Sequence, residues 1–543
     1  MLELIQRHHD APGGPPPGAR GLYLYEKFTD PPEFVAYREF PERVAGAADA
    51  LRADGIGPGT RVLFPFETSI ETITAFLALL EIGAVPLSVR PYLMNAAREE
   101  YQDFLARVAA GFDARHLLAT PSLAVVDLPA GVRSVAPPPA GWRRPGARLR
   151  TPADDEMAFV QFSSGSTSFP KGVPIRHGAL RANLAMILRT DGRGADDRGS
   201  SWLPLYHDMG LVGGLLTCLA RGNDLLLAEP VSFLFDAHGW WEHLSRERIS
   251  HSVIPNFAVD YSLRMLRDLD ADELAALDLS PLRSVYLGSE PINITNLAEF
   301  TALLAPAGLC DTVWMPCYGM AEAVLLVASR PRDTPVRVAS APSGVPAISV
   351  GAPLGEFTVR LRGEDGRLRG PGELGEIELA GGSLAAGYLD DARPLRGDDG
   401  FYRTGDIGFL DDGELFVVGR DGDRIKVNGQ SLFAADFEQA VERLPFVREG
   451  RTAVIQLDPP DGRIIVLAEA DRAARGDIAG SRAQILAMLT RAIGVTVAES
   501  DVHFLRAGQL ARTSSGKLRR RAIATAFTRG DLRGYTFGAP SSP

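Results

Sequence analysis

Lys27, Lys171, Lys426 and Lys517 are the only lysines in a chain of 543 residues with 57 basic side chains. An exposed charge tolerates exchange of lysine for arginine. A site that needs a compact, movable ammonium does not, because a planar guanidinium differs in shape, hydration and reach. The surviving lysines are therefore candidates for chemistry. Lys171 lies in Phe159–His177, FVQFSSGSTSFPKGVPIRH. An apolar, strand-like run ends at Phe162 and opens into small hydroxyl residues around Gly165 and Gly172. Glycine lets backbone N–H groups approach a phosphate, hydroxyls donate to it, and a lysine neutralises its charge. It is not a Walker loop, which needs glycine directly before the lysine; Pro170 stands there. The plainer alternative is a flexible Ser/Gly linker, but the preceding strand and the ordered string argue against it.

Six further blocks follow in order: WLPLYHDMG (Trp202–Gly210), GSEPI (Gly288–Ile292), YGMAEA (Tyr318–Ala323), YRTGD (Tyr402–Asp406), GRDGDRIK (Gly419–Lys426) and TSSGK (Thr513–Lys517). With SSGSTSFPKG, these blocks resemble the adenylate-forming superfamily of acyl-CoA synthetases, peptide-synthetase adenylation domains and luciferases. WLPLYHDMG and GSEPI are most similar to the fatty acyl-AMP ligases. The resemblance runs over nearly the whole chain.

What it implies is a ligase that activates a carboxylic acid with ATP, forming acyl-AMP and releasing pyrophosphate. The acyl group then passes to the phosphopantetheine thiol of an acyl carrier protein. The alternative acceptor is coenzyme A. A luciferase-like oxygenase and a degraded acyl- or nucleotide-binding module remain as further readings, the last opposed by the presence of Lys517, Glu322 and Asp406. Lipid or secondary metabolism is the implied setting.

The resemblance carries roles residue by residue. Ser163, Ser164, Gly165, Ser166, Thr167 and Lys171 would cradle phosphate. Gly288, Ser289, Glu290 and Pro291 would meet adenosine, with Tyr318, Gly319 and Met320 beside it. Tyr318 offers a flat face for adenine. Asp406 can accept two hydrogen bonds from ribose hydroxyls, or it caps its own turn. Arg420 would contact ribose or phosphate. Glu322, with Thr167, would hold Mg2+, a hard cation that takes oxygen ligands. Lys517 would bridge substrate carboxylate and α-phosphate, stabilising two anions as they approach. His207 would orient the acyl carboxylate, or it bonds within its own turn with Asp208 as helix cap. Lys426 lies beside the hinge and fits a structural role as well as a functional one; Lys27 belongs to no motif. Leu211–Gly214, Ile254–Tyr261 and Leu287–Gly288 are the segments expected to line an apolar acyl pocket.

The surrounding pattern supplies the elements. Helix and strand alternate from Phe40, as in Phe40–Ile56 (helix), Arg61–Phe66 (strand), Ser69–Ile82 (helix) and Ala84–Val89 (strand), and short apolar runs continue at Leu203, Leu225–Leu227, Ser252–Ile254 and Ser284–Leu287. This predicts an α/β protein with a large N-terminal domain of mainly parallel sheets flanked by helices. From about Ala347 the strands are separated by Gly/Asp turns, so a β subdomain is expected over 347–419. A flexible segment is expected over 1–20, the whole N-terminal adenylation domain over 21–419, a hinge over 420–426 and a small, mobile α+β lid over 427–543. Gly422, Asp421 or Asp423 would be the pivot.

Composition excludes several classes. A net charge of −11 argues against a nucleic-acid partner. No apolar run reaches the ~20 residues of a membrane span, so no integral membrane association is expected. The first ten residues lack the order of a signal peptide, and Cys218, Cys310 and Cys317 have no zinc spacing and read as buried thiols, so a cytoplasmic location is expected. His8–His9 and the arginines at 143–144 and 519–521 read as surface residues.

Overall fold

The computed structural model describes residues 1–10, 20–93, 97–139, 141–163, 170–194, 196–427, 430–457, 462–470, 476–512 and 517–534. The expected α/β class holds. A six-stranded sheet runs in the order Arg133–Val135, His116–Leu118, Arg61–Pro65, Val85–Val89, Met157–Ser163, Lys171–Arg176. All its pairings are parallel except the last, where Met157–Ser163 meets Lys171–Arg176 antiparallel.

A nine-stranded sheet carries a parallel centre in the order Trp314–Gly319, Ser284–Gly288, His251–Pro255, Arg198–Ser201, Asp224–Ala228, Gly21–Tyr25. Antiparallel strands complete both edges. The run around Leu203 does not itself form a strand. Arg198–Ser201 does, and Leu203 falls in the loop that follows.

The helix Ile70–Ile82 is apolar nearly all round, and almost every residue in it is buried. Such a helix needs cover on all sides. Part of that cover comes from Phe40–Ala53 and from a helix at the N-terminus, Leu2–Asp10. The second of these lies in the segment expected to be flexible over 1–20, and only for Leu2–Asp10 does it differ from that expectation. Met1, Leu2 and Ile5 are buried, and Arg181 pairs with Glu3 at 2.7 Å. The Pro/Gly run after Asp10 dominates the sequence there and hides a short helix whose apolar edge finds a partner only in the tertiary structure. Residues 11–19 lie outside the described residues, as do the side chains of His8 and His9.

Strands Thr358–Arg362, Gly375–Ala380, Tyr402–Asp411 and Glu414–Arg420 form an antiparallel sheet. A 3-10 turn, Asp421–Asp423, follows it. The C-terminal part has a three-stranded sheet, Val447–Gln456, Ile464–Ala470 and Val502–Leu505, with helices Ala434–Glu442 and Ile478–Ile493. It has its own core around Phe437, Val441, Val454 and Ile485.

Cys218 is buried and Cys317 half-buried, but Cys310 is exposed, so the three thiols do not share one environment. Among the described residues, no helix is long and apolar enough to cross a membrane.

Candidate active site

In open parallel sheets, ligands bind outside the carboxyl ends of the strands. Ser163, Gly288 and Gly319 each close a strand, and the loop after Ser201 carries His207 and Asp208. The sheet topology thus gathers residues that are far apart in sequence.

Asp406 and Arg420 are register partners on neighbouring antiparallel strands. Arg420 Nε donates to Asp406 Oδ1 at 2.9 Å, and Tyr318 Oη donates to Asp406 Oδ2 at 2.7 Å. Thr404 Oγ1 accepts from the Asp406 N–H at 3.0 Å. Asp406 and Tyr318 are buried, while Arg420 is exposed. The Asp406 carboxylate raises the pKa of the Arg420 guanidinium. Each carboxylate oxygen keeps a further lone pair for a ligand hydroxyl.

Glu322 sits on a short 3-10 turn, Ala321–Ala323, and is buried. Val324 follows at φ 71°, ψ −59°, a rare and strained conformation for a β-branched residue. The turn is tight: the Met320 N–H donates to Leu325 O at 2.8 Å. A Cβ on Gly319 would stand 1.7 Å from that same oxygen, so only glycine fits. Burial pushes the Glu322 pKa up. Tyr388 Oη donates to Glu322 Oε1 at 2.9 Å, and burial followed by the Glu322 charge pushes the Tyr388 pKa up to about 12.

Lys171 opens the strand Lys171–Arg176, with its Nζ 4.6 Å from the Tyr388 ring centroid, a cation–π contact. Ser163 is its register partner, although the Ser163 side chain is not described. Ser164, Gly165, Ser166 and Thr167 lie outside the described residues.

Asp208 caps the π-helix Met209–Leu216, its Oδ1 accepting from Met209 N at 2.8 Å. π-Helical turns are rare and cluster at functional sites. His207 is half-buried, its Nδ1 3.8 Å from Asp208 Oδ1. Both readings of this pair stand: Asp208 is a cap, and His207 remains available beside it. Ser289 has φ 71°, and its hydroxyl donates to Met209 Sδ at 3.1 Å. Glu290 Oε1 accepts from the Phe257 N–H at 2.6 Å. Pro291 is exposed.

Lys517 is half-buried. Burial and the Arg420 charge lower its pKa below the ordinary lysine value, while Asp208, Glu290 and Asp406 act in the opposite sense. The C-terminal lysine therefore stands in the field of three acids drawn from three separate motifs. Residues 513–516, which precede it, are not described.

A cavity adjoins this cluster. Gly213 and Gly288 line it, as expected; Leu211, Leu287 and the segment Ile254–Tyr261 do not. The rest of its lining comes from Asp208, Met209, Val253, Ser289, Gly319 and Leu325, and from Ile187, Arg193, Tyr286, Cys317 and Leu326.

Sequence reading also missed several side chains. Tyr388 lies in a Gly/Asp-rich stretch with no periodic signal. Glu364 pairs with Arg424 and, at 2.9 Å, with Lys426, both just after the 3-10 turn. Arg520 is not the surface residue expected of its triplet: it pairs with Asp423 at 2.8 Å and with Glu438 at 2.6 Å. A run of three arginines gives no sign of which one is turned inward. Among the described residues, no group of three metal-ligating side chains forms.

A family model described as "AMP-binding enzyme" matches residues 24–389. The chain belongs to that family. Among the relatives of this AMP-binding enzyme is a Caulobacter vibrioides protein named as an acyl-CoA synthetase, 31% identical over 552 residues and covering 94% of each chain. The medium-chain-fatty-acid–[acyl-carrier-protein] ligase JamA of Moorena producens is 32% identical over 425 residues, covering 72% of this chain and 70% of its own. A solved structure from work on fatty acyl-adenylate ligases of E. coli and L. pneumophila superposes with a TM-score of 0.84 at 26% identity, covering 98% of each chain. This AMP-binding enzyme is an adenylate-forming ligase of the acyl-AMP ligase type.

Proposed function

We propose that the acyl-AMP made at this site passes to the phosphopantetheine thiol of an acyl carrier protein, and that Lys517, Glu322, Asp406 and His207 act in forming it. The observation that carries the residue roles is the position of Lys517 amid Asp208, Glu290, Asp406 and Arg420. A cation there can lie between two approaching anions, the substrate carboxylate and the α-phosphate, and favours their transition state over their separated ground state. Asp406 holds ribose hydroxyls while Arg420 and Tyr318 fix its carboxylate. Tyr318 supports the adenine. Lys171, held over Tyr388, neutralises phosphate charge. His207 orients the acid.

Glu322 fits a Mg2+ ion: it supplies one buried carboxylate, and such ions are commonly held by one or two carboxylates together with substrate phosphates. The ion would neutralise phosphate charge. Tyr388 keeps the carboxylate oriented.

With Lys517 seated at the site, the acyl-AMP must become accessible to a thiol by withdrawal of the C-terminal part. The turn Asp421–Asp423, beside Arg420, is the proposed pivot. The 420–426 hinge, the 427–543 lid and the 347–419 β subdomain are carried into this proposal.

The carrier-protein acceptor is supported by the likeness to a named acyl-carrier-protein ligase, and coenzyme A by the relative named as a synthetase of acyl-CoA. Thioester yield with holo carrier protein and with coenzyme A, from the same acyl-AMP, decides between them. A higher yield on coenzyme A overturns the carrier-protein reading.

A further inference from the structure

Arg519 and Arg521 are exposed, and Arg520 between them is half-buried. Arg520 Nη2 and Nε donate to Glu438 Oε2 and Oε1 at 2.6 and 3.1 Å, a bidentate pair that fixes the plane of the guanidinium. Glu438 belongs to the helix Ala434–Glu442, so this contact serves the core of the C-terminal part. Nη1 is left over, and it donates to Asp423 Oδ2 at 2.8 Å. That second contact leaves the core and ends on the 3-10 turn Asp421–Asp423. A lysine could not make both, because a point charge has no fork.

Both partners of the second contact lie a short length of chain from the site. Asp423 follows Arg420, which bonds Asp406, by three residues. Arg520 follows Lys517 by three residues and opens the helix Arg520–Arg529, which is anchored by buried Ile523. Three residues reach about 10 Å at most. The stretch between Lys517 and Arg520 is itself tied down: Leu518 forms an antiparallel bridge with Arg512, and the Arg519 N–H donates to Ala511 O at 2.9 Å. A path therefore runs from the Asp406–Arg420 pair through Asp423 and Arg520 to Lys517. It closes on itself, because Lys517 feels the charges of that same Asp406 and Arg420.

We infer that Asp423 is a positioning residue for Lys517: through the third donor of Arg520 it holds the C-terminal lysine where carboxylate and α-phosphate meet. This rests on the reading that Lys517 acts in forming acyl-AMP. Asp423 needs no contact with substrate. Its charge sets where the Arg520 fork lies, and the tied stretch carries that setting to Lys517. Catalysis by a placed charge is sensitive to such placement, since a shift of about 1 Å costs up to about a hundredfold in rate.

The test is Asp423→Asn, which keeps the size of the side chain, removes its charge and leaves the Arg520–Glu438 pair in place. With so few lysines in the chain, reductive methylation read by mass spectrometry reports Lys517 by itself, with exposed Lys27 as the reference. In Asp423→Asn the labelling of Lys517 relative to Lys27 rises about threefold or more, and acid-dependent ATP–pyrophosphate exchange falls about fivefold or more. Thioester formation from supplied acyl-AMP is retained. In a Lys517→Ala background, Asp423→Asn changes the residual exchange by less than about twofold, because the two residues act as one unit. Arg520→Lys keeps a charge for Glu438 without the fork and is the second variant; it reproduces the changes in labelling and exchange. Unchanged labelling of Lys517 in both variants overturns the inference. An equal rise at Lys426 also overturns it, since that marks a general loosening of the turn. A further loss of exchange in the Lys517→Ala background overturns it as well, since Asp423 would then act on its own. Exchange that survives in Lys517→Ala overturns the site reading beneath it. Ordinary exchange in Asp423→Asn with Lys517→Ala inactive removes only the positioning role.

Discussion

The hydroxyl of Tyr318 donates to the carboxylate of Asp406 across 2.7 Å, joining two motifs 88 residues apart. One motif comes from a parallel strand end and the other from the antiparallel sheet, so this bond ties the two sheets. Tyr318→Phe keeps the ring and removes the donor. A hydrogen bond to a charged group is worth about 1.5–3 kcal/mol, so a loss of stability of that order is expected in denaturant titration. Asp406→Ala removes the proposed ribose acceptors as well. Its ATP affinity by calorimetry falls further than that of Tyr318→Phe; an equal fall would mean that Asp406 acts only through the tyrosine.

Lys517→Ala lowers exchange at least a hundredfold, on the scale of about 2.7–4 kcal/mol for removal of a transition-state charge donor. The proposed role needs the cationic form, and burial lowers the pKa of that group. Activity therefore falls on the alkaline side below the ordinary lysine value of about 10.4. Lys517→Arg retains charge at high pH, so the alkaline limb disappears from whatever activity remains. A limb unchanged in that variant assigns the titration to another group.

Glu322 gives an opposition between stability and activity. Its folded pKa is raised by burial. A raised carboxyl pKa means that stability is gained at low pH and lost as pH rises through the folded value, because the ionised form is the one burial penalises. At neutral pH, Glu322→Gln removes that penalty, and its melting temperature rises relative to the unaltered protein. Its Mg2+-dependent exchange falls at least tenfold. A lower melting temperature would show that the charge is compensated in the fold.

The Glu364 pairs with Arg424 and Lys426 lie across the proposed hinge. These groups are partly exposed, and such pairs are worth about 0–1 kcal/mol and are screened by salt. Glu364→Gln therefore shifts the balance between lid positions by at most about fivefold. The adenylation rate falls relative to the thioester rate, and added salt reduces the difference between variant and unaltered protein. A change that is insensitive to salt removes the clamp.

Arg520→Ala is more severe. It leaves Glu438, which also accepts from the Val454 N–H at 2.9 Å, buried without its counter-charge. Breaking such a pair costs about 3–5 kcal/mol, read as early unfolding of the C-terminal part in pulse proteolysis.

The elements and the order of motifs were legible in the sequence because helix and strand periods are local, as are Gly- and Ser-rich strings. Arg61–Pro65, Val85–Val89 and Met157–Ser163 of the six-stranded sheet follow from that, as do Thr358–Arg362, Gly375–Ala380 and Glu414–Arg420; the short strands His116–Leu118 and Arg133–Val135, and Lys171–Arg176 and Tyr402–Asp411, do not. Tyr388, Glu364 and Arg520 were not legible. Each matters through a partner 60 or more residues away, and nothing in its own neighbours marks it. The helix Leu2–Asp10 was missed for the same reason, since its apolar edge has meaning only against the helices it covers. The lining of the cavity was partly legible: Gly213 and Gly288 lie in segments expected to line a pocket, but Tyr286, inside a run that reads as ordinary core, was not expected there.

The place of Gly21–Tyr25 in the nine-stranded sheet has a consequence during synthesis on the ribosome. That strand pairs on one side with Glu33–Ala36 and on the other with Asp224–Ala228, whose Asp224 side chain accepts from the Gly21 N–H 203 residues away. At roughly 5–20 residues per second, its inner edge waits about 10–40 s for that partner to emerge. During the interval the hairpin with Glu33–Ala36 leaves an apolar, unpaired edge in the nascent chain. Newly made protein is thus open to aggregation at this edge until Asp224–Ala228 has emerged. Slower translation lengthens that window, and a chaperone that binds extended apolar segments would protect it there.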